Sequence, residues 1–156
     1  MSRVVFTVAC LAVVACRKPP PAQPRFCDQD LSGVWLNSTD KRFAYSFRDQ
    51  GGVIRGEFME RAEDGGLTKP SEPITFELKR TDGAIAGVMR SMGTTPGGRS
   101  CPVEFDTRIS DCKPDAVQVV VEVSAQIGED CKRMLAEDGG AFPPDLSEFR
   151  FERAGR

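Results

Sequence analysis

Histidine is absent from all 156 residues. That absence excludes serine and cysteine nucleophiles activated by an imidazole base and removes the commonest zinc ligand. No Cys-x-x-Cys pair is present either, so the cysteine spacing fits no common zinc site, and neither a cofactor nor a metal is expected. A basic excess is missing as well: 21 Lys and Arg stand against 23 Asp and Glu, far from the cationic surface that nucleic-acid binding requires. No apolar run reaches the roughly 20 residues of a transmembrane helix. The run opening with Val4-Val5-Phe6 gives way at Arg17-Lys18-Pro19-Pro20-Pro21, where prolines lack the donor and clash with the preceding turn.

What the N-terminus does have is a short n-region carrying Arg3, an apolar stretch from Val4 to Val14, and the small residue Ala15 before Cys16. The segment Val13-Val14-Ala15-Cys16 resembles the bacterial lipobox. The resemblance implies cleavage before Cys16 and acylation of its sulfur and new amino group. Residues 1–15 are then a lipoprotein signal peptide, 16–26 an acylated cysteine with a proline-rich tether, and 27–156 a single domain. Thr7-Val8-Ala9-Cys10 offers a second site, with only a stub of apolar sequence before it; an ordinary secretory signal is the rival reading. Two or more acyl chains anchor a protein stably to a bilayer. In lipoproteins an aspartate after the acylated cysteine favours inner-membrane retention; Arg17 holds that place here, which implies the outer membrane. The tether is expected to be extended, at about 3.1 Å per residue, and to act as a spacer.

Removal of residues 1–15 leaves 141, and the formal charge moves from −2 to −3 with the loss of Arg3. Beyond the tether the chain suffices for one hydrophobic core. Cys27, Cys101, Cys112 and Cys131 remain, an even number in an oxidising compartment, so two disulfides are expected.

Alternation of apolar and polar residues predicts eight strands near 33–37, 42–48, 53–60, 73–80, 84–91, 102–110, 116–127 and 146–153. The fold class expected is all-β, an eight-stranded antiparallel up-and-down barrel. The turns at 49–52, 81–83 and 111–115 are tight and fall at one end with the tether. The 38–41 turn and the loops 61–72, 92–101 and 128–145 gather at the other end, where binding usually resides. Cys27 and Cys112 then share the tether end and Cys101 and Cys131 the loop end, giving Cys27–Cys112 and Cys101–Cys131. Pairing Cys101 with Cys112 would join two ends of one strand, at about 3.3 Å per residue, beyond disulfide reach.

At the first strand, Leu31-Ser32-Gly33-Val34-Trp35 is similar to the Gly-x-Trp signature that opens the first strand of calycins, the group holding lipocalins and avidins. The resemblance implies a basic residue near the last strand packed over that tryptophan, and Arg150 or Arg153 occupies the position. The several tryptophans with which avidins enclose biotin are not matched, since Trp35 stands alone.

Strand parity places Glu77, Glu104, Asp106, Glu122 and Glu152 outward, so no inward pair of carboxylates suggests hydrolysis and no enzyme is expected. The sequence Ala62-Glu63-Asp64-Gly65-Gly66 recurs as Ala136-Glu137-Asp138-Gly139-Gly140. The two copies read as Asp-Gly turns or as an acidic rim for a cation. The inward set is apolar: Phe43, Tyr45, Phe47, Ile54, Phe58, Ile74, Phe76, Leu78, Ile85, Phe105, Val119, Val121, Val123, Phe149 and Phe151. Within it Phe43, Tyr45, Phe47, Phe58, Phe76 and Phe105 are the candidate ligand-binding residues. No inward polar group is evident from the pattern. Eight strands enclose a filled core or one small-ligand cavity. A hollow barrel suits an apolar small molecule; a filled one suits an envelope protein bound by Leu67, Met92, Phe142, Pro143 and Pro144 on the loops.

Overall fold

A computed structural model describes residues 26–123, 126–135, 137, 139, 140, 142, 143 and 145–155. The signal peptide, Cys16 and the tether up to Arg25 lie outside the described residues. Among the described residues nine strands are present: β1 (Gly33–Asn37), β2 (Phe43–Gln50), β3 (Val53–Arg61), β4 (Leu67–Thr68), β5 (Thr75–Arg80), β6 (Ile85–Thr94), β7 (Ser100–Lys113), β8 (Ala116–Val123) and β9 (Asp145–Arg153). All pairings are antiparallel. They follow chain order, skipping β4, and β9 returns to β1 through Trp35↔Arg153 and Asn37↔Phe151. Eight strands thus close an up-and-down barrel, and β4 is a two-residue spur on β3.

Sequence parity drives this closure. In β7, Cys101, Val103, Phe105, Thr107 and Ile109 are buried and the residues between them exposed, the pattern of a strand with one face on a core and one in water. The β2–β3 hairpin joins Gln50 to Val53 through Gly51 and Gly52, whose φ angles of 60° and 79° belong to the two-residue turn that matches strand twist. Glycine suits both positions because a Cβ there is strained. The outer wall is not wholly polar: Val120, flanked on neighbouring strands by Arg108 and Glu148, is 3% exposed. Long side chains cover it, through an Arg108–Glu122 pair at 2.9 Å and a Gln118–Glu148 hydrogen bond at 2.7 Å.

Both disulfides join the residues expected, with Cα–Cα distances of 5.6 Å for Cys27–Cys112 and 5.5 Å for Cys101–Cys131. The first depends on a bulge. Strict alternation from Cys101 would turn Cys112 outward, but the register shifts between Ile109 and Asp111, so that Cys112 pairs with inward Val117 and reaches Cys27.

The tether end is sealed. Residues from Phe26 to Leu31 carry the chain into β1; Leu31 and Trp35 are both fully buried, and the indole Nε1 donates to the Leu31 carbonyl at 2.8 Å. Register places Arg153 opposite Trp35, and its guanidinium lies 4.4 Å from the ring centroid. It also donates to the Ser32 and Asp30 carbonyls at 2.9 and 2.7 Å, so the last strand is fastened to the segment leading into the first. Arg150, on the other face of β9, pairs at 3.7 Å with Glu152. Arg153→Ala should cost about 1–2 kcal/mol through the lost cation–π contact and carbonyl hydrogen bonds and shift Trp35 emission to the red. Arg150→Ala should stay within about 0.5 kcal/mol, as exposed ion pairs do. Thermal melts with tryptophan fluorescence check both, and equal effects from the two variants would refute this role for Arg153.

Candidate functional site

Above the sealed end the lumen is filled with aromatic rings. Tyr45 on β2 lies 4.6 Å from Phe151, 5.2 Å from Phe76, 5.4 Å from Phe58 and 6.3 Å from Phe47, centroid to centroid. Gly56 makes room for this packing, because a Cβ there would sit 2.3 Å from the Phe47 ring. The six aromatic residues expected to bind ligand therefore divide. Phe47, Phe76 and Phe105 are sealed in the core, at most 9% exposed; Tyr45 and Phe58 are partly buried, and Phe43 is 40% exposed at the loop end. Phe43 extends the cluster outward through Phe58, at 5.7 Å.

Beside Phe58 the wall opens into a pocket of about 240 Å³ lined by the apolar Phe58, Ile74, Pro70 and Pro73 and by Glu57, Lys69, Ser71 and Thr75. The Phe58 N–H donates to the Ile74 carbonyl at 2.8 Å, which fixes this wall, while Lys69 and Glu57 pair at 2.6 Å in solvent. Apolar surface with a charged edge is the composition of a small-ligand site. A larger groove at the opposite end, of about 800 Å³, has a more polar wall and runs past Asp30, Asp115 and Arg153. The Arg153 guanidinium there is already committed to backbone carbonyls.

Across the mouth, residues 126–134 form a tight hairpin, with Met134 N–H donating to Gln126 and Gly128 N–H to Lys132. Its Ile127 is 7% exposed and fits against Val103 over Gly93, where a Cβ would lie 2.2 Å from Ile127 Cδ1. Cys101–Cys131 holds the hairpin to β7, and the Glu129 carboxylate accepts the Gly97 N–H at 2.5 Å.

Comparison of the chain with family models, curated proteins and solved structures yields no match. The site's chemistry rests on its own residues.

One inward pair escaped the sequence reading. Asp49 and Arg80, near the tether-end termini of β2 and β5, face the lumen and form an ion pair with side chains 10% and 9% exposed. Asp49 also accepts the Leu31 N–H at 3.2 Å, and Arg80 donates to the Gln29 carbonyl at 3.2 Å. Parity from Phe47 and Leu78 carried the signal, but charged residues next to tight turns read naturally as solvated. The pair belongs to the sealed end and does not line the Phe58 pocket.

Four of the outward carboxylates make cross-strand or loop ion pairs: Glu77 with Arg55, Glu104 with Arg90, Glu122 with Arg108 and Glu152 with Lys41. No cluster of three metal-ligating side chains forms among the described residues. The first acidic repeat folds as a turn, with Ala62 N–H donating to Gly66, Gly65 N–H to Ala62, and Gly66 N–H to Asp64 Oδ1 at 2.8 Å. In the second copy Ala136 and Asp138 lie outside the described residues. Of the loop residues suited to a protein partner, Leu67 is 37% exposed and Pro143 is exposed, Met92 and Phe142 are partly buried, and Pro144 lies outside the described residues.

Proposed function

We propose that this protein is a non-enzymatic, lipid-anchored outer-membrane protein whose barrel binds a small apolar molecule at the mouth that points away from the bilayer. The observation carrying the reading is the gradient of burial along the lumen: rings are sealed from Trp35 to Phe76, Tyr45 and Phe58 are partly buried and Phe43 is exposed, and Phe58 also lines the pocket beside Ile74. A filled lower barrel limits the ligand to one that fits the outer third. The anchor is supported by the lipobox resemblance at Cys16 and by the position of Cys27, whose bridge to Cys112 puts the chain's entry at the sealed end. An envelope protein as partner is the second reading, favoured by Leu135 and Leu146 at 61% and 53% exposure.

Organic extraction of the purified protein followed by mass spectrometry tests the ligand. A stoichiometric apolar molecule, lost in Phe58→Asp because a buried charge is unfavourable, is the expected result. An empty extract, with no saturable change in Trp35 emission on titration with apolar probes, would refute ligand binding and favour the protein partner. Cys16→Ser should move the protein from membranes to the soluble fraction; membrane retention without acylation would overturn the anchor.

A further inference from the structure

β9 is longer than the strand that closes the barrel against it. β1 meets it through Trp35↔Arg153, Leu36↔Glu152 and Asn37↔Phe151, and their ladder closes where the Ser38 N–H donates to the Arg150 carbonyl at 2.8 Å. There the chain turns away. The Asn37 side chain accepts the Thr39 and Asp40 N–H groups at 2.8 and 3.2 Å, an Asx turn, and the Phe43 N–H donates to the Asp40 carbonyl as β2 begins. β8, by contrast, accompanies β9 to its first residue, Val123↔Asp145. Residues 145–149 therefore form a strand laddered on one side, with no described strand on the other.

Parity fixes which backbone groups face that open side. In an antiparallel ladder the N–H and C=O of one residue point the same way, and alternate residues point opposite ways. Arg150 accepts from Ser38 and Ala154 donates to Val34, so even-numbered residues turn toward β1; Arg153 donates to Asp115, so odd-numbered residues turn toward β8. Leu146 and Glu148 consequently direct their N–H and C=O groups to the open side, and both residues are exposed, Leu146 at 53%. Such a row is the template to which an extended chain adds as a further strand. Side chains define the partner. Glu148 on the outer face and Asp145 on the inner are exposed carboxylates, and the outer cation Arg150 pairs with Glu152 at 3.7 Å. Leu146 offers apolar surface outside for the stem of a long cation, and half-buried Phe149 offers it inside. A second copy of this chain would bring the same carboxylates to the edge, and like charges across a ladder are destabilising.

We infer that the 145–149 edge of β9 is a docking site for an extended segment of another protein, added antiparallel, with cationic residues on its outer face and apolar ones on its inner face. This rests on the protein-partner reading and is independent of the pocket beside Phe58. The test uses the full chain in detergent and a short peptide alternating lysine and valine. Amide exchange in the free protein should be fast at Leu146 and Glu148 and slow at Ser147 and Phe149, and the peptide should slow the first two. Residues directly opposite in a ladder share a face, so lysines set beside Leu146 and Glu148 direct their N–H groups to the edge. Methylating the lysine backbone nitrogens should weaken binding about tenfold or more, whereas methylating the valine nitrogens should leave it unchanged. Glu148→Pro removes one open-side donor while sparing the β8 ladder, as edge prolines do, and should weaken the unmethylated peptide by about tenfold. Equal binding of the two methylated peptides would show attachment through side chains alone, overturning the edge and leaving the protein-partner reading standing. Slow exchange at Leu146 and Glu148 in the free protein would overturn the edge as already covered, and protection that grows with protein concentration alone would assign it instead to a second copy. An edge that exchanges freely and takes no peptide would refute the docking site and the protein partner alike.

Discussion

Arg80→Ala is expected to destabilise the barrel by about 3–5 kcal/mol, the usual effect of leaving one partner of a buried ion pair uncompensated. The pair joins β2 to β5 beneath the core, with both side chains about nine-tenths buried. Removing the guanidinium leaves Asp49 with the Leu31 N–H as its remaining described donor, and one hydrogen bond does not offset the burial of a carboxylate. The pair itself adds little net stability over an apolar alternative. Arg80 Nη1 is sealed without a partner among the described residues, so part of its desolvation is uncompensated. The double variant Asp49→Leu/Arg80→Met should accordingly regain most of the lost stability, with a residual cost of about 1 kcal/mol for the Leu31 N–H that loses its acceptor. Urea unfolding of the wild-type, single and double variants gives the coupling directly. A loss below about 1 kcal/mol for Arg80→Ala would show that water reaches the pair in solution and that the base is less tightly sealed than its geometry indicates.

How much of this was legible in the chain depends on the range of the signal. Alternation is local, and it locates the strands: β1 runs from Gly33 to Asn37 as expected, and β3, β5 and β9 differ only at their ends. Where a ladder stops is decided by the partner strand. β6 continues to Thr94, beyond the expected 91, because Ser100, Cys101 and Pro102 of β7 extend to meet it. β8 ends at Val123, short of the expected 127, because Ile127 belongs to a hairpin that folds over Gly93. The spur β4 has two residues, too few for any alternation to show.

The disulfides were readable from topology even though strand parity alone would have sent Cys112 to the wrong face; the bulge after Ile109 reconciles the two. The resemblance at Gly33-Val34-Trp35 left Arg150 and Arg153 open, and parity with Phe149 and Phe151 selects Arg153. The site was legible only in part. Sequence supplies the inward aromatics, but which of them are sealed depends on loops elsewhere in the chain. Phe76 and Phe58 read alike, yet one is buried and the other lines a pocket built by Pro70 and Pro73. Polarity misleads in the opposite direction: Asp49 and Arg80 look like surface charges until β2 and β5 bring their inward faces together.

The second large effect concerns the two disulfides, which should differ both in stability and in what their loss does to the mouth. Cys27–Cys112 spans 85 residues and Cys101–Cys131 spans 30. In the chain-entropy picture the longer loop gives about 4–5 kcal/mol and the shorter about 3–4 kcal/mol. Loss of both approaches the whole stability of a small domain, so full reduction is expected to unfold the barrel at physiological temperature. Structure widens the difference between them. Cys27 fastens the segment whose Leu31 accepts from the Trp35 indole and donates to Asp49, so freeing it loosens the lower core as well as lengthening the unfolded chain. Cys131 fastens only the hairpin that seats Ile127 at the mouth. Cys27→Ala/Cys112→Ala should therefore lower the melting temperature by 10 °C or more, by roughly 4 °C per kcal/mol for a domain of this size, and redden Trp35 emission. Cys101→Ala/Cys131→Ala should lower it less, leave Trp35 emission unchanged and speed both binding and release of an apolar probe. Melting curves and stopped-flow exchange on the two variants separate these outcomes. A larger thermal loss in the Cys101–Cys131 variant, or a Trp35 shift there, would mean that the mouth hairpin and not the sealed end organises the core.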